Sequence, residues 1–456
     1  MRKWFLPRLA QMLTLVLVAG ACGGDAAPTT APGTTQAPGV TVAPGDLVAG
    51  DPSLITQDPI TITYWNGCEG ASCDLEEELW NTYMETHPNV TVISQQVPMF
   101  DRFDRLLIGL PAGESEPTAS GNYGPWHAIF IDQGLYAPAM PECMQYQTME
   151  NLINAYLPGT LDVATRDGIV YALPVQQNSY SLFINNALFE EAGLDPVADA
   201  PTTWDEMAAL QDVLFKEEGG QIVQKSFEFR HTAGEDFIAV TLTGMIYQAG
   251  GRIFNDDGSP AFNSPEAVTA LEAWVQNTVA PEISNNTPDS PYQDFADGLE
   301  AMSAGGPNAL QFMYNLNPDL EGNVTVAHMP GFEGGVDTFA KYGFDIFVNA
   351  NADPVEQCVA WNFLDFLLSD SNRWFDVIGM VQPKVGWADQ PAAEDFVGLD
   401  IAIEDIEKAE FLPITPNWSA VEREFASLIQ RAVFEGQDPK AALDQAVEQY
   451  LQAIGG

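Results

Sequence analysis

Residues 60–97 read ITITYWNGCEGASCDLEEELWNTYMETHPNVTVISQQV, and their pattern decides the fold. Ile60–Trp65 (ITITYW) alternates with the period of a strand. Leu75, Leu79 and Tyr83 then recur at helical spacing, and Pro88 stops the run. Val90–Val97 (VTVISQQV) returns to the strand pattern. Phe100–Leu110 reads as a second helix and His127–Asp132 (HAIFID) as a third strand. This β-α-β-α-β order predicts an α/β fold, a parallel sheet with helices on its faces. Ligands on such sheets sit beyond the carboxyl ends of the strands. That rule puts Trp65, Asn66, Asp132 and Gln133 near a binding edge. Core packing is the competing role for Trp65.

Upstream of this body the chain carries processing signals. Arg2, Lys3 and Arg8 make a basic start, and Met12–Gly20 is apolar but too short to span a bilayer. Ala19, Gly20 and Ala21 lead into Cys22, an arrangement that resembles a bacterial lipoprotein signal. The resemblance implies removal of residues 1–21, a lipid on Cys22 and an extracytoplasmic chain held on the outer face of the cell membrane. An ordinary secretory signal cut nearby is the alternative. Residues 22–59 are rich in Pro, Thr, Ala and Gly and cannot bury enough apolar surface to offset their ordering entropy. They are expected to be a disordered tether.

Charge removes whole classes of function. Lys and Arg total 17 against 64 Asp and Glu, a net charge of −47, so a phosphate backbone would be repelled and nucleic acid is excluded as a partner. Hydrophobic residues at 46% are ample for a packed core. Apart from Cys22, four cysteines remain, an even number that fits an oxidising compartment. Cys68 and Cys73 share a short Gly-containing loop and are expected to pair, leaving Cys143 for Cys358. A zinc site is the rival reading, but His87, His127, His231 and His328 show no ligand spacing near the cysteines. No metal or cofactor is expected. No G-x-S-x-G, H-E-x-x-H or G-x-x-x-x-G-K-[ST] motif is present. A two-carboxylate glycosidase is not removed by counting alone.

The central segment carries a resemblance. Asp167–Glu206 reads DGIVYALPVQQNSYSLFINNALFEEAGLDPVADAPTTWDE. Gly168, Tyr171, Pro174, Phe183, Asn185, Phe189, Ala192, Gly193, Leu194, Pro201, Thr203, Trp204 and Glu206 fall in the order found in solute-binding proteins of bacterial ABC importers, the carbohydrate-binding group especially. Gln248–Pro265, Phe295–Pro307, Cys358–Ser369 and the C-terminal NWSAVEREFASLIQRAVFEGQDPKAALDQAV extend the resemblance to nearly the whole body. Several of these residues have folding roles of their own. Thr203 and Glu206 form a T-x-x-E capping box. Trp204 in that first turn reads as structural, and Gly193 suits a helix stop.

The resemblance implies a two-lobed, hinge-connected fold of the periplasmic-binding-protein type II class. Lobe 1 would hold residues 60–176 and 342–380, and lobe 2 residues 181–337 and 388–456. Crossings are expected near Val175–Ser181, Thr338–Tyr342 and Val381–Trp387. Both Cys143 and Cys358 then fall in lobe 1, where a bond leaves the hinge free. The implied function is capture of a small solute, a carbohydrate, between the lobes, by a monomer that hands it to ABC transporter permease subunits. Candidate ligand contacts are Trp65, Asp132, Gln176, Asn178, Tyr180, Arg230, Asn308, Tyr342, Trp387 and Trp418. Side-chain amides supply both donors and acceptors for hydroxyls, and aromatic planes supply stacking. Asn308 stands where carbohydrate binders of this family often carry Trp. Loss of Trp387 or Trp418 is expected to weaken binding, and loss of Trp204 to destabilise. The alternatives are a polyamine or other cationic solute, or sensing in place of transport.

Overall fold

A computed structural model of the chain describes residues 56, 58–68, 70–279, 284–287, 290–394 and 396–455. The expected processing signal, Cys22 with its expected lipid, and almost all of the expected tether lie outside the described residues. In chain order the strands are β1 Ile60–Asn66, β2 Val90–Gln96, β3 Ala119–Tyr123, β4 Thr165–Arg166, β5 Ile169–Val170, β6 Ala172–Asn178 and β7 Ser181–Asn185. They continue as β8 Lys216–Glu218, β9 Gln221–Phe227, β10 Glu300–Gly305, β11 Val324–Ala327, β12 Ala340–Val348 and β13 Glu410–Phe411.

These strands form two main sheets. The first has the order β13-β12-β3-β1-β2, with β6 also paired to β12. The second has the order β11-β7-β10-β9-β8. The opening β-α-β unit stands as its sequence predicts, with β1 and β2 parallel and in register from Ile60 opposite Val90. The helix Ala71–Thr86 connects them and buries Leu75, Leu79 and Tyr83 against Ile62, Tyr64 and Phe363.

The third strand is a correction. HAIFID is not a strand: His127–Ile131 is a helix, entered through the tight turn Gly124–Trp126 with Pro125 near its start. The third strand is Ala119–Tyr123 (ASGNY), paired parallel to β1 and antiparallel to β12. A five-residue apolar run fits either period, and the proline start favours a helix. The sheet is also mixed where a parallel one is expected. The long strand β12 enters without a crossover helix and runs antiparallel to both β3 and β6.

The chain crosses between the sheets where β6 meets β7 and again between β11 and β12. A third passage, residues 381–385, lies beside β6 through a hydrogen bond from Gln177 N to Val381 O (2.9 Å). The helix Trp418–Ile429 packs against Glu235–Gln248 and Pro439–Ile454, and the last of these also touches Pro265–Asn277. Both expected disulfides are present, Cys68–Cys73 and Cys143–Cys358. The second joins the turn Pro141–Cys143 to the helix Pro354–Leu367, beneath the first sheet. Asn362 reinforces it by donating to Cys143 O (2.7 Å) and accepting from the Tyr83 hydroxyl (2.9 Å).

The expected cap is also formed. Thr203 Oγ1 accepts from Glu206 N (3.2 Å), and the Glu206 carboxylate accepts from Thr203 N (3.2 Å). Trp204 is buried and donates its indole N–H to Gln248 Oε1 (3.0 Å), a structural role. Gly193 ends its helix at φ 79°, a conformation that costs glycine little.

Candidate functional site

Strand direction brings two edges together. In the first sheet β1 ends at Trp65 and Asn66, β3 at Tyr123 and β6 at Asn178, while antiparallel β12 starts there with Tyr342 and Phe344. In the second sheet β7 starts at Ser181 opposite Gly305, so β10 ends at the same place and leads into Gly306, Pro307 and Asn308. Strand β9 is parallel to β10, so its following loop, with Arg230, lies at that edge too. The β6–β7 crossing joins the two edges, which makes a cleft between sheets.

Aromatic rings line it from both sides. Tyr123 lies 5.2 Å from Trp126, 5.4 Å from Phe344 and 5.9 Å from Tyr342, centroid to centroid. Tyr342 meets Tyr180 edge-on at 6.1 Å. Tyr342 and Phe344 are half-buried, whereas Tyr123 and Tyr180 are covered. The buried Arg230 guanidinium sits over Phe237 at 4.4 Å, Tyr292 at 4.5 Å and Tyr180 at 5.3 Å, a cage of cation–π contacts. Its Nη1 has no hydrogen-bond partner, and its backbone holds φ 54°, unusual for a side chain of this size. Strain of this kind collects at functional positions.

Amides complete the floor. Asn178 donates to Asn308 Oδ1 at 2.7 Å, leaving Asn178 Oδ1 without a partner, and the buried Gln176 Nε2 is also unpaired. Gly306 permits this approach, because a Cβ there would lie 2.7 Å from the Asn178 amide. A half-buried carboxyl joins them. Asp236 opens the helix Glu235–Gln248, and burial pushes its carboxyl up to about 6 although backbone N–H groups at the helix start oppose the shift. Burial likewise raises the Tyr342 phenol, with Tyr292 and Asp236 adding to the effect.

Seven of the ten candidates fall on these edges. Trp65, half-buried beneath the Arg105 guanidinium (5.9 Å), Gln176, Asn178, Tyr180, Arg230, Asn308 and Tyr342 are the seven. Three candidates go elsewhere. Asp132 is exposed, ends a helix and not a strand, and accepts from Arg166 Nε at 3.2 Å. Trp387 is buried in a satellite cluster with Phe375, Val381, Ala393 and Leu399, so its ring offers no free face. Trp418 is wholly buried at the start of its helix and donates to Glu422 Oε1 at 2.9 Å. Truncating either tryptophan therefore removes core packing, so a loss of stability is expected beside any loss of binding. The sequence reading missed Tyr123, Trp126, Asp236 and Glu422. The four-residue spacing of Trp418 and Glu422 on one helix face was a usable signal for the last of these.

Comparison with known proteins supplies a frame for this cleft. The family described as bacterial extracellular solute-binding protein matches residues 74–374. An arabinooligosaccharide-binding protein of Halalkalibacterium halodurans is 23% identical over 405 residues, 83% of this chain and 86% of that protein. A lactose-binding protein of Rhizobium radiobacter is 23% identical over 253 residues, 54% of each chain. Among solved structures, an ABC transporter solute-binding protein of Thermotoga lettingae bound with α-D-tagatose superposes with a TM-score of 0.73 at 23% identity, covering 86% of this chain and 99% of that one. A maltose-bound protein of T. maritima gives 0.73 at 19% identity, with the same coverages. The fold is thus the two-lobed, hinge-connected α/β fold of these structures. No helix among the described residues is long and apolar enough to cross a membrane.

Proposed function

We propose that this chain, which belongs to the bacterial extracellular solute-binding proteins, captures a carbohydrate between its lobes and delivers it to the permease of an ABC transporter. The observation that carries this reading is the meeting of aromatic faces with unpaired polar atoms, Gln176 Nε2 and Asn178 Oδ1 on one sheet edge and Arg230 Nη1 on the other. A sugar presents an apolar face and a rim of hydroxyls, each both donor and acceptor. Trp65 and Tyr342 offer planes, Gln176, Asn178 and Asn308 offer amides, and Arg230 and Asp236 offer a charged donor and acceptor. Tyr180 holds Tyr342 and Arg230 in place from behind. The names of the arabinooligosaccharide- and lactose-binding relatives favour the same ligand class.

Lobe 1 is read as residues 60–176 and 342–380, and lobe 2 as residues 181–337 and 388–456. Contacts from both lobes would make the closed state the better binder, and that differential affinity drives closure. The chain would act as a monomer, anchored through a lipid on Cys22, with residues 22–59 as the tether. A single specific observation favours a second reading. Asp236 places a half-buried carboxyl beside the ring cluster, which suits a cationic solute such as a polyamine. A thermal-shift screen of the purified chain against mono- and oligosaccharides, polyamines and amino acids separates the two. A ligand at a hundred times its dissociation constant adds about 2.7 kcal/mol of stability. Response to a polyamine with none to any sugar would overturn the carbohydrate reading.

A further inference from the structure

One carboxylate joins parts of the two lobes that the chain brings from far apart. Trp126 closes the turn directly after β3 of the first sheet, where its ring packs 4.3 Å from Phe103. Glu422 lies 296 positions away, on the helix Trp418–Ile429, which reaches the second sheet through the helices Pro439–Ile454, Pro265–Asn277 and Trp204–Leu214, the last of them packed on β9. Trp126 Nε1 donates to Glu422 Oε2 at 2.8 Å, and Trp418 Nε1 donates to Glu422 Oε1 at 2.9 Å. Trp126, Trp418 and Glu422 are 2%, 0% and 1% exposed, so water does not compete for these bonds. Among the described residues Glu422 has no ion-pair partner; the charged groups that act on it are Asp236 and Glu235, of its own sign. Among the described residues, the two indoles alone hydrogen-bond to its side chain.

We propose that Glu422 is a positioning residue that fastens the cleft, tying Trp126 of one lobe to Trp418 of the other and thereby setting the balance between open and closed forms before ligand arrives. The carboxyl group turns one oxygen to each indole and accepts from both at once, which needs no charge on it. Opening the hinge must break the Trp126 bond and expose Glu422 Oε2 to water, whereas the Trp418 bond lies within one helix and survives. Trp126 and Trp418 share one apolar cluster that runs across both lobes, so the effect on the hinge is read only in variants shown to be folded. The inference rests on the two-lobed, closing architecture of the proposed function and is independent of which solute binds.

The test uses the full chain without ligand. Small-angle scattering reports the radius of gyration, and the ¹⁵N-indole spectrum reports exchange at each tryptophan N–H. The variants are Glu422→Gln, Trp126→Phe and the pair together, with circular dichroism to verify folding. Gln has one carbonyl oxygen and cannot accept at both sides, and Phe keeps an aromatic ring without the donor. The expected result is a slowly exchanging Trp126 indole in the parent. A larger radius is expected in each single variant, and the double variant should be no larger than the greater single. An unchanged radius in both single variants, additive increases, or a Trp126 indole exchanging at the rate of an exposed one would overturn the proposal. If Glu422→Gln does not fold, Trp126→Phe alone decides by the same radius. Because no solute is added, failure here is distinct from failure of the carbohydrate reading.

Discussion

The two sheets are secured by different chemistry. Beneath the first, a disulfide joins Cys143 to Cys358 across 215 positions, and the buried Glu76 and Arg102 bond to neutral partners, Glu76 to Asn66 (2.9 Å) and Arg102 to Val97 O (3.1 Å). His127 Nε2 lies 2.9 Å from Asp345 Oδ2 and its Nδ1 faces the Tyr136 hydroxyl. The second sheet has no disulfide among the described residues and instead buries a cluster of charge. Lys225 Nζ contacts both Glu228 and Asp294 (2.9 Å to the latter), and Glu300 Oε1 accepts from Glu228 N. Burial, and then the charge of Glu228, holds the Glu300 carboxyl well above the ordinary range. A covalent staple is indifferent to pH and salt, whereas a buried charge cluster depends on protonation and on every partner staying in place. The lobe that presents Arg230 to the cleft is therefore the more condition-sensitive one.

The largest effect should come from the staple. Replacing Cys143 and Cys358 by Ala releases a long loop, worth roughly 5 kcal/mol through chain entropy. Denaturant melts of the double variant should show that loss, while Cys68→Ala/Cys73→Ala, closing only a short loop, should cost much less. Equal losses would erase the distinction between staple and clip. Next comes Lys225→Met, which leaves Glu228 and Asp294 buried without their cation and should cost about 3 kcal/mol. Hydrogen exchange should locate the loosened amides in β9 and β10; loosening in β1 or β2 would mean that the sheets are not independent.

Acid and base should then act unequally. Burial raises Glu422 to about 8, Glu76 to about 7 and Asp236 to about 6. Their folded forms hold protons that the unfolded chain releases, so their contribution is greatest at low pH and is lost as pH rises through 6 to 8. His231 acts in the opposite sense. Burial lowers it to about 4, so stability is lost as pH falls from its ordinary value toward that point. Three carboxyls outweigh one imidazole, and melts should show the chain more stable at about pH 5.5 than at about pH 8, by about 2 kcal/mol. Greater stability at the alkaline end would contradict these assignments. The smallest effect is the cap: Thr203→Ala should cost about 1 kcal/mol, read from the shift in denaturation midpoint.

What the sequence disclosed divides along physical lines. The β1–helix–β2 unit was legible because alternation and helical spacing are strong over that stretch. The crossing near Val175–Ser181 was implied by the resemblance that residues 167–206 carry, and the capped helix was legible in Thr203 and Glu206 themselves. Strand β3 escaped notice because Ala-Ser-Gly-Asn-Tyr has no apolar alternation; its place between β1 and β12 makes it a strand. Ligand candidates on strand ends came to the cleft, since strand direction follows from chain order. The tryptophans did not follow, because a bulky ring suits a core as well as a cleft. Trp387 and Trp418 were taken by cores that only long-range packing reveals. Asp236 was invisible because its site depends on how one helix start meets the loop after β9.

The central claim is that a carbohydrate closes this cleft by touching both edges. Titration calorimetry of the full chain with the sugar found by screening tests it, alongside Tyr342→Ala from the first edge and Arg230→Ala from the second, each shown to be folded. The parent is expected to bind, and each variant to bind at least tenfold more weakly, about 1.4 kcal/mol or more. Unchanged affinity in either folded variant, or binding of a polyamine in place of any sugar, would contradict it.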